Sequence, residues 1–117
     1  MSEADLHLQV AKFLMLALPA AVPWSTFPAG GGGKARGGQL KARGLRSGWP
    51  DIILVHPLDG RLCGIELKTE AGRVSAEQKA AHTLLVNAGA LIAVCRSMPA
   101  VEGTLIGWGF PLRARLS

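Results

Sequence analysis

Between Asp5 and Asp51 the chain has no acidic residue, while Lys12, Lys34, Arg36, Lys41, Arg43 and Arg46 all fall in that interval. Over its 117 residues it carries thirteen Lys and Arg against eight Asp and Glu, a formal net charge of +5. A surplus placed so unevenly suits a polyanionic partner whose footprint lies in the N-terminal half. Cysteine is scarce too. Cys63 and Cys95 stand alone, with no CxxC and no Cys/His ligand spacing, and read as small buried hydrophobes in a reducing compartment. Long apolar runs are missing: the longest, Phe13 to Val22, contains Pro19 and is too short and broken to cross a bilayer. The first residues, Met-Ser-Glu-Ala-Asp, are acidic where a secretory signal begins basic, so a cytoplasmic protein without membrane contact is expected. A nucleotide P-loop is absent as well, because Pro28 and Ala35 occupy positions that need Gly and Ser or Thr around Gly33-Lys34, and no nucleotide cofactor is expected.

What is present is a hydrophobic fraction of 49%, enough for one folded domain spanning residues 1–117. Leu6, Val10, Phe13, Leu14 and Ala17 fall at helical spacing, which predicts a helix from about residue 3 to 18 with Ser2 as N-cap and Pro19 as stop. Glu3 and Asp5 then sit in the first turn, where the helix dipole favours negative charge. Pro23 to Pro28 reads as a short edge strand. Residues 29–48 read as a glycine-rich basic loop in which Lys34-Ala35-Arg36-Gly37 is nearly repeated as Lys41-Ala42-Arg43-Gly44. Such a loop can follow a phosphate backbone, each charge displacing a counterion, or it can simply be solvated. Further on, Ser75 with Gln78 forms a capping box for a helix to about Asn87, with Ala81, Leu84 and Leu85 inward and Gly89 beyond its end. Ala90 to Cys95 is a continuous apolar strand of the kind buried on both faces. The segment from Leu105 to Leu116 is an apolar tail with a basic end. The expected class is α/β, in the order α-β-β-β-α-β, with a mixed β-sheet flanked by helices.

The remaining stretch, Gly48 to Lys68, holds two apolar runs around Asp59-Gly60, the signal of a two-residue hairpin turn. With those two as the loop, Ile53 faces Glu66 and Asp51 faces Lys68, so Asp51, Glu66 and Lys68 share one face of the sheet. Asp51 and Glu66 become diagonal neighbours with Cβ atoms about 7 Å apart. Glu66 lies between Ile65 and Leu67 in a run that otherwise favours burial, and a buried carboxylate costs several kcal/mol unless paired or metal-bound. An ion pair with Lys68, a solvent-facing strand face, or a cation would each answer it. Two acids on one face repel unless something positive lies between them, which favours the cation. Mg²⁺ is its natural identity, with Mn²⁺ the alternative, and the implied reaction is hydrolysis of a phosphodiester, with Lys68 positioning water or neutralising charge on the phosphate.

Pro50-Asp51 followed by Glu66-Leu67-Lys68 resembles the PD-(D/E)XK motif of restriction-endonuclease-like nucleases. With Gly72-Arg73-Val74-Ser75, Gln78, Ala88-Gly89 and Val94-Cys95-Arg96-Ser97 it resembles the VRR-NUC branch in its small stand-alone form, found in phages and bacteria. The resemblance implies a restriction-endonuclease-like core and a metal-dependent endonuclease acting on branched DNA such as four-way (Holliday) junctions, as a homodimer. It implies that Asp51 and Glu66 bind metal, that Lys68 is catalytic, that Glu3 is a further metal-site acid and that Gln78 lies beside the site. For Glu3 and Gln78 this stands next to the first-turn and capping-box roles. Arg73 and Arg96 become candidates for phosphate contact beside the basic residues of the loop. Relatives tend to have Asn-Gly where this chain has Ala29-Gly30. The alternatives are a non-catalytic DNA-binding module on the same fold, or an interaction subunit of a replication or repair complex. His7, His56 and His82 share no spacing and are expected to be structural or exposed.

Overall fold

The computed structural model describes residues 1–27 and 33–116, the side chains of residues 33–37 excepted. Four strands form one sheet in chain order: β1 (Trp24–Thr26), β2 (Ile52–Val55), β3 (Leu62–Leu67) and β4 (Leu91–Cys95). The first two pairings are antiparallel and β3 with β4 is parallel, so the sheet is mixed, as the crossover after β3 requires. Alternation along β3 divides its side chains between two layers. Cys63, Ile65 and Leu67 enter the core with Leu6, Val10 and Leu14 of α1 (Glu3–Ala17) and Val101 and Leu105 of α4 (Met98–Gly107). Gly64 and Glu66 turn to the opposite layer, where α3 (Ala76–Asn87) supplies the partners of Glu66.

Helix ends follow the local sequence. Ser2 caps α1 reciprocally with Asp5, and Ser75 caps α3 reciprocally with Gln78. Gly89 follows α3 with φ +105°, the left-handed conformation that ends helices.

Several expectations are corrected. The hairpin is not closed by Asp59 and Gly60 alone. His56 N–H donates to Arg61 O at 2.8 Å, leaving the four-residue loop Pro57 to Gly60, in which only Gly60 has positive φ, at +73°. The register is therefore Ile52 with Ile65 and Val55 with Leu62, two residues from the expected one. A two-residue shift preserves which face each side chain occupies.

The basic loop expected over 29–48 contains α2 (Gly33–Ala42), and α4, capped by Ser97 with Pro99 in its first turn, precedes the expected tail and takes in its first residues, Leu105 to Gly107. The expected inward Leu84 is instead 72% exposed, and β4 is a sheet edge whose Val94 is exposed, so that strand is not buried on both faces. Pro28, Ala29 and Gly30 to Gly32, where the end of the edge strand and most of the glycine run were placed, lie outside the described residues.

Candidate metal and nuclease site

The site lies where β2 and β3 part. The strand pairing ends at Ile52–Ile65, and the same register extended one step sets Asp51 opposite Glu66. Beyond it the Leu67 N–H donates to Asp51 Oδ2 at 2.7 Å, so the carboxylate serves as acceptor where the backbone ladder stops. Pro50 is fully buried, and its ring fits because residue 64 is glycine: a Cβ there would stand 2.6 Å from Pro50 Cγ. Gly48, at φ +85°, likewise lets the chain pass against the Glu77 backbone at the start of α3.

Glu66 is 1% exposed. Gln78 Nε2 donates to its Oε2 at 3.0 Å, and His82 Nε2 lies 3.3 Å from its Oε1. Gln78 also accepts the Ser75 N–H on its Oε1 at 2.9 Å, so one side chain both closes the cap of α3 and grips Glu66. The two roles expected of Gln78 coexist. Burial, and after it the adjoining Asp51 carboxyl, push the Glu66 carboxyl up to about 8; the Lys68 ammonium acts in the opposite sense and Glu3 in the same sense as Asp51. Burial likewise lowers His82, with Asp51 opposing and Lys68 adding to the shift. At neutral pH and without a cation, the acidic pair holds a proton.

On the other side of Asp51, α1 brings Glu3 and His7, one turn apart. His7 Nε2 is 3.5 Å from Asp51 Oδ2 and 4.0 Å from Glu3 Oε1, and donor atoms of the three residues lie within 4.8 Å of one another. Glu3 is thus both a first-turn residue and a neighbour of the acids.

Lys68 follows β3 directly, half-buried, with no side-chain hydrogen bond or ion pair among the described residues. Of the basic residues, Lys41, Arg43, Arg46 and Arg73 are exposed, while Lys34 and Arg36 fall in α2 with side chains outside the described ones. Arg96 has a structural engagement that the sequence did not suggest: its guanidinium donates to Thr69 O at 2.8 Å and Gly72 O at 2.6 Å, strapping the β3–α3 loop to the end of β4. A cavity of about 480 Å³ is lined by Phe27, Leu45, Arg46 and Trp49 together with Asp51 and Gln78.

Sequence reasoning passed over two residues. His7 and His82 each stand four positions after a residue already singled out, Glu3 and Gln78, and each is carried by one helical turn onto the same face. That i, i+4 relation was the available signal. His56 fits the expectation of a structural histidine: it is buried, its Nε2 lies 2.7 Å from Trp108 O, and its Nδ1 accepts the Leu58 N–H at 3.2 Å.

The fold recurs in known proteins. Among solved structures, one described as "VRR_NUC domain protein" superposes with a TM-score of 0.73 at 15% identity, covering 93% of this chain and 88% of that one. A second, "VRR_NUC domain", gives a TM-score of 0.59 at 19% identity, covering 94% of this chain and 100% of that one. At such identities the likeness speaks for the fold. No curated protein matches. The family model of the VRR-NUC domain matches residues 34–99, from α2 through the start of α4 and more than half of the chain, leaving Glu3 and His7 outside the matched span. This chain therefore belongs to the VRR-NUC family of nuclease domains.

Proposed function

We propose that the protein is a divalent-metal-dependent DNA endonuclease with Mg²⁺ or Mn²⁺ as its cation, acting on branched DNA such as four-way junctions. One observation carries the reading: Asp51 and a fully buried Glu66 share one face where β2 and β3 part, and among the described residues no Lys or Arg lies within ion-pair distance of either. A structural carboxylate pair would be matched by such a side chain. Here Gln78 and His82 orient Glu66, and the Leu67 N–H orients Asp51.

The donor set is hard oxygen, which fits such a cation, with Asp51 and Glu66 as its holders and Glu3 as a further acid. When bound, the cation polarises a phosphoryl oxygen and acidifies an attacking water. The chain's own residues do the rest. Gln78 and His82 fix the Glu66 carboxylate from one side, and the Leu67 N–H fixes Asp51 from the other. Lys68 provides a mobile point charge to orient water or offset charge developing on the phosphate. Lys34, Arg36, Lys41, Arg43 and Arg46 bind the DNA backbone, with Arg46 lining the same cavity as Asp51, and Arg73 and the remaining donors of Arg96 extend the contact across the β3–α3 loop. A homodimer is part of the proposal, supported by exposed Leu84 and Val86 on α3 and the open β4 edge; light scattering of the purified protein would show twice the 12.3 kDa chain mass.

The test is cleavage of labelled four-way junction, flap, single-stranded and duplex DNA with Mg²⁺, Mn²⁺ or EDTA. Asp51→Ala and Glu66→Ala should each abolish cutting, by at least about a hundredfold as expected for loss of a group acting on transition-state charge, while DNA binding persists. Full activity in either folded variant would end the reading. Binding of every substrate with no cutting under any metal would favour the non-catalytic DNA-binding module.

A further inference from the structure

The nuclease reading uses the acids and leaves His7 unexplained. His7 is half-buried on α1, its Nε2 3.5 Å from Asp51 Oδ2 and 4.0 Å from Glu3 Oε1, ion-pair separations when the imidazole is protonated. With the imidazole neutral, the same three side chains offer donor atoms within 4.8 Å of one another, close enough to share one cation. Ligands about 2.1 Å from a metal stand about 3.0 Å apart when adjacent and about 4.2 Å apart when opposite in an octahedron. Glu3, His7 and Asp51 thus present one nitrogen and two carboxylate oxygens around a common space, from two elements held independently: α1 by its Ser2–Asp5 capping box, the Asp51 backbone by the Phe27 N–H and its Oδ2 by the Leu67 N–H.

We propose that His7 is a metal ligand, that Glu3, His7 and Asp51 form a mixed nitrogen–oxygen cation site adjoining the Asp51–Glu66 pair, and that this site favours Mn²⁺ over Mg²⁺. The proposal rests on the nuclease reading for its biological sense but on the geometry of these three residues for its content. Imidazole is a borderline ligand that adds more to the binding of a first-row transition ion than to that of Mg²⁺, which prefers oxygen and retains water. Asp51, common to both groups, has a second carboxylate oxygen for the Glu66 side. His82 is a different case, because its Nε2 lies at 3.3 Å from Glu66 Oε1 and is engaged there.

The experiment uses Mn²⁺ alone, without DNA. Mn²⁺ is titrated into the full chain, the bound fraction is read by electron paramagnetic resonance, and nitrogen coupling to the bound ion is read by electron spin-echo modulation. Wild type should show one coupled imidazole nitrogen. His7→Gln should lose it, weaken Mn²⁺ binding by about tenfold and leave Mg²⁺ binding, measured by competition, much less changed. Its metal-free melting temperature should match wild type, which keeps a folding defect from imitating the result. His82→Gln should retain the coupling. The proposal is overturned if Mn²⁺ does not bind, if it binds without nitrogen coupling, or if the coupling survives His7→Gln and disappears in His82→Gln. Failure here is separable from failure of the nuclease reading: Glu66-dependent cleavage with no coupled nitrogen removes only the His7 ligand, and a coupled nitrogen with no cleavage removes only the nuclease.

Discussion

At the scale of single residues, Glu66 is the site group that departs furthest from its ordinary protonation. Its carboxyl is raised from 4.5 to about 8, chiefly by burial. The native state therefore keeps a proton that the unfolded chain releases above its ordinary carboxyl range, and ionising Glu66 in place destabilises the fold. Metal-free stability should fall as pH rises through the window between those values, and Glu66→Gln should remove most of that slope and be the more stable form near pH 8. Thermal melts in EDTA from pH 5 to 9 check this, and parallel slopes for the two proteins would contradict it. The cation must displace the same proton, so metal affinity should climb with pH up to about 8 and flatten beyond. Isothermal titration in buffers of differing ionisation enthalpy counts the protons released. The acidic pair was legible in the sequence because facing depends only on parity: misjudging the hairpin loop moved the register by two, which turned a diagonal pair into an opposed one and left the shared face intact. The histidines were legible only as i, i+4 partners of Glu3 and Gln78, since His7 reaches Asp51 only when α1 is packed beside the end of β2, a long-range placement that no local pattern encodes.

At the scale of elements, the site depends on how the Gly48 to Asp51 segment is seated. Pro50 packs on Gly64, and α3 starts close against Gly48. Gly64→Ala would put a Cβ 2.6 Å from Pro50 Cγ and 2.9 Å from Ile92 Cδ1. It should cost about 1–3 kcal/mol through overpacking, read by urea melts. The displaced Pro50 carries Asp51 with it, so cleavage should fall further than stability alone explains. A variant with wild-type melting and wild-type cutting would show that this packing does not position the acid. The elements with apolar stripes and caps were readable: α1 and α3 end within one or two residues of expectation, because Ser2, Ser75 and Gly89 act locally. The helices that were missed lack those signals. Helix α2 is Gly-Lys-Ala-Arg-Gly-Gly-Gln-Leu-Lys-Ala, with one large apolar residue and no stripe to reveal a helix. Helix α4 has Pro99 near its start and no clear apolar stripe, so residues 98–104 carried no helix signal and Leu105 read as the start of a tail; Val101 and Leu105 enter the core only once the fold is assembled.

At the scale of the whole molecule, the basic interval and the candidate site adjoin. The acid-free interval from residue 6 to 50 ends at Asp51, and its last cation, Arg46, lines the same cavity as Asp51 and Gln78. A helical α2 changes what the basic repeat can do. Lys34 and Lys41 are seven residues apart, as are Arg36 and Arg43, and seven residues are close to two helical turns. Lys34 and Lys41 both fall within α2, and Arg43 follows directly on its end, so the repeat is carried on a short rod rather than a loose coil. A helical backbone is ordered before binding and loses less conformational freedom than a loop would. If these four cations each meet a phosphate, replacing all of them with Gln should reduce the slope of log binding constant against log salt by roughly three to four units. The same variant, saturated with DNA at low salt, should still cut, because Asp51, Glu66 and Lys68 lie outside α2. Fluorescence anisotropy across a salt series gives the slope, and single-turnover cleavage gives the chemistry. An unchanged slope would move the footprint to Arg73, Arg96 and the basic C-terminal residues. A lost cleavage rate at saturation would instead mean that α2 helps to seat the scissile phosphate, making substrate positioning and backbone binding a single function of the same helix.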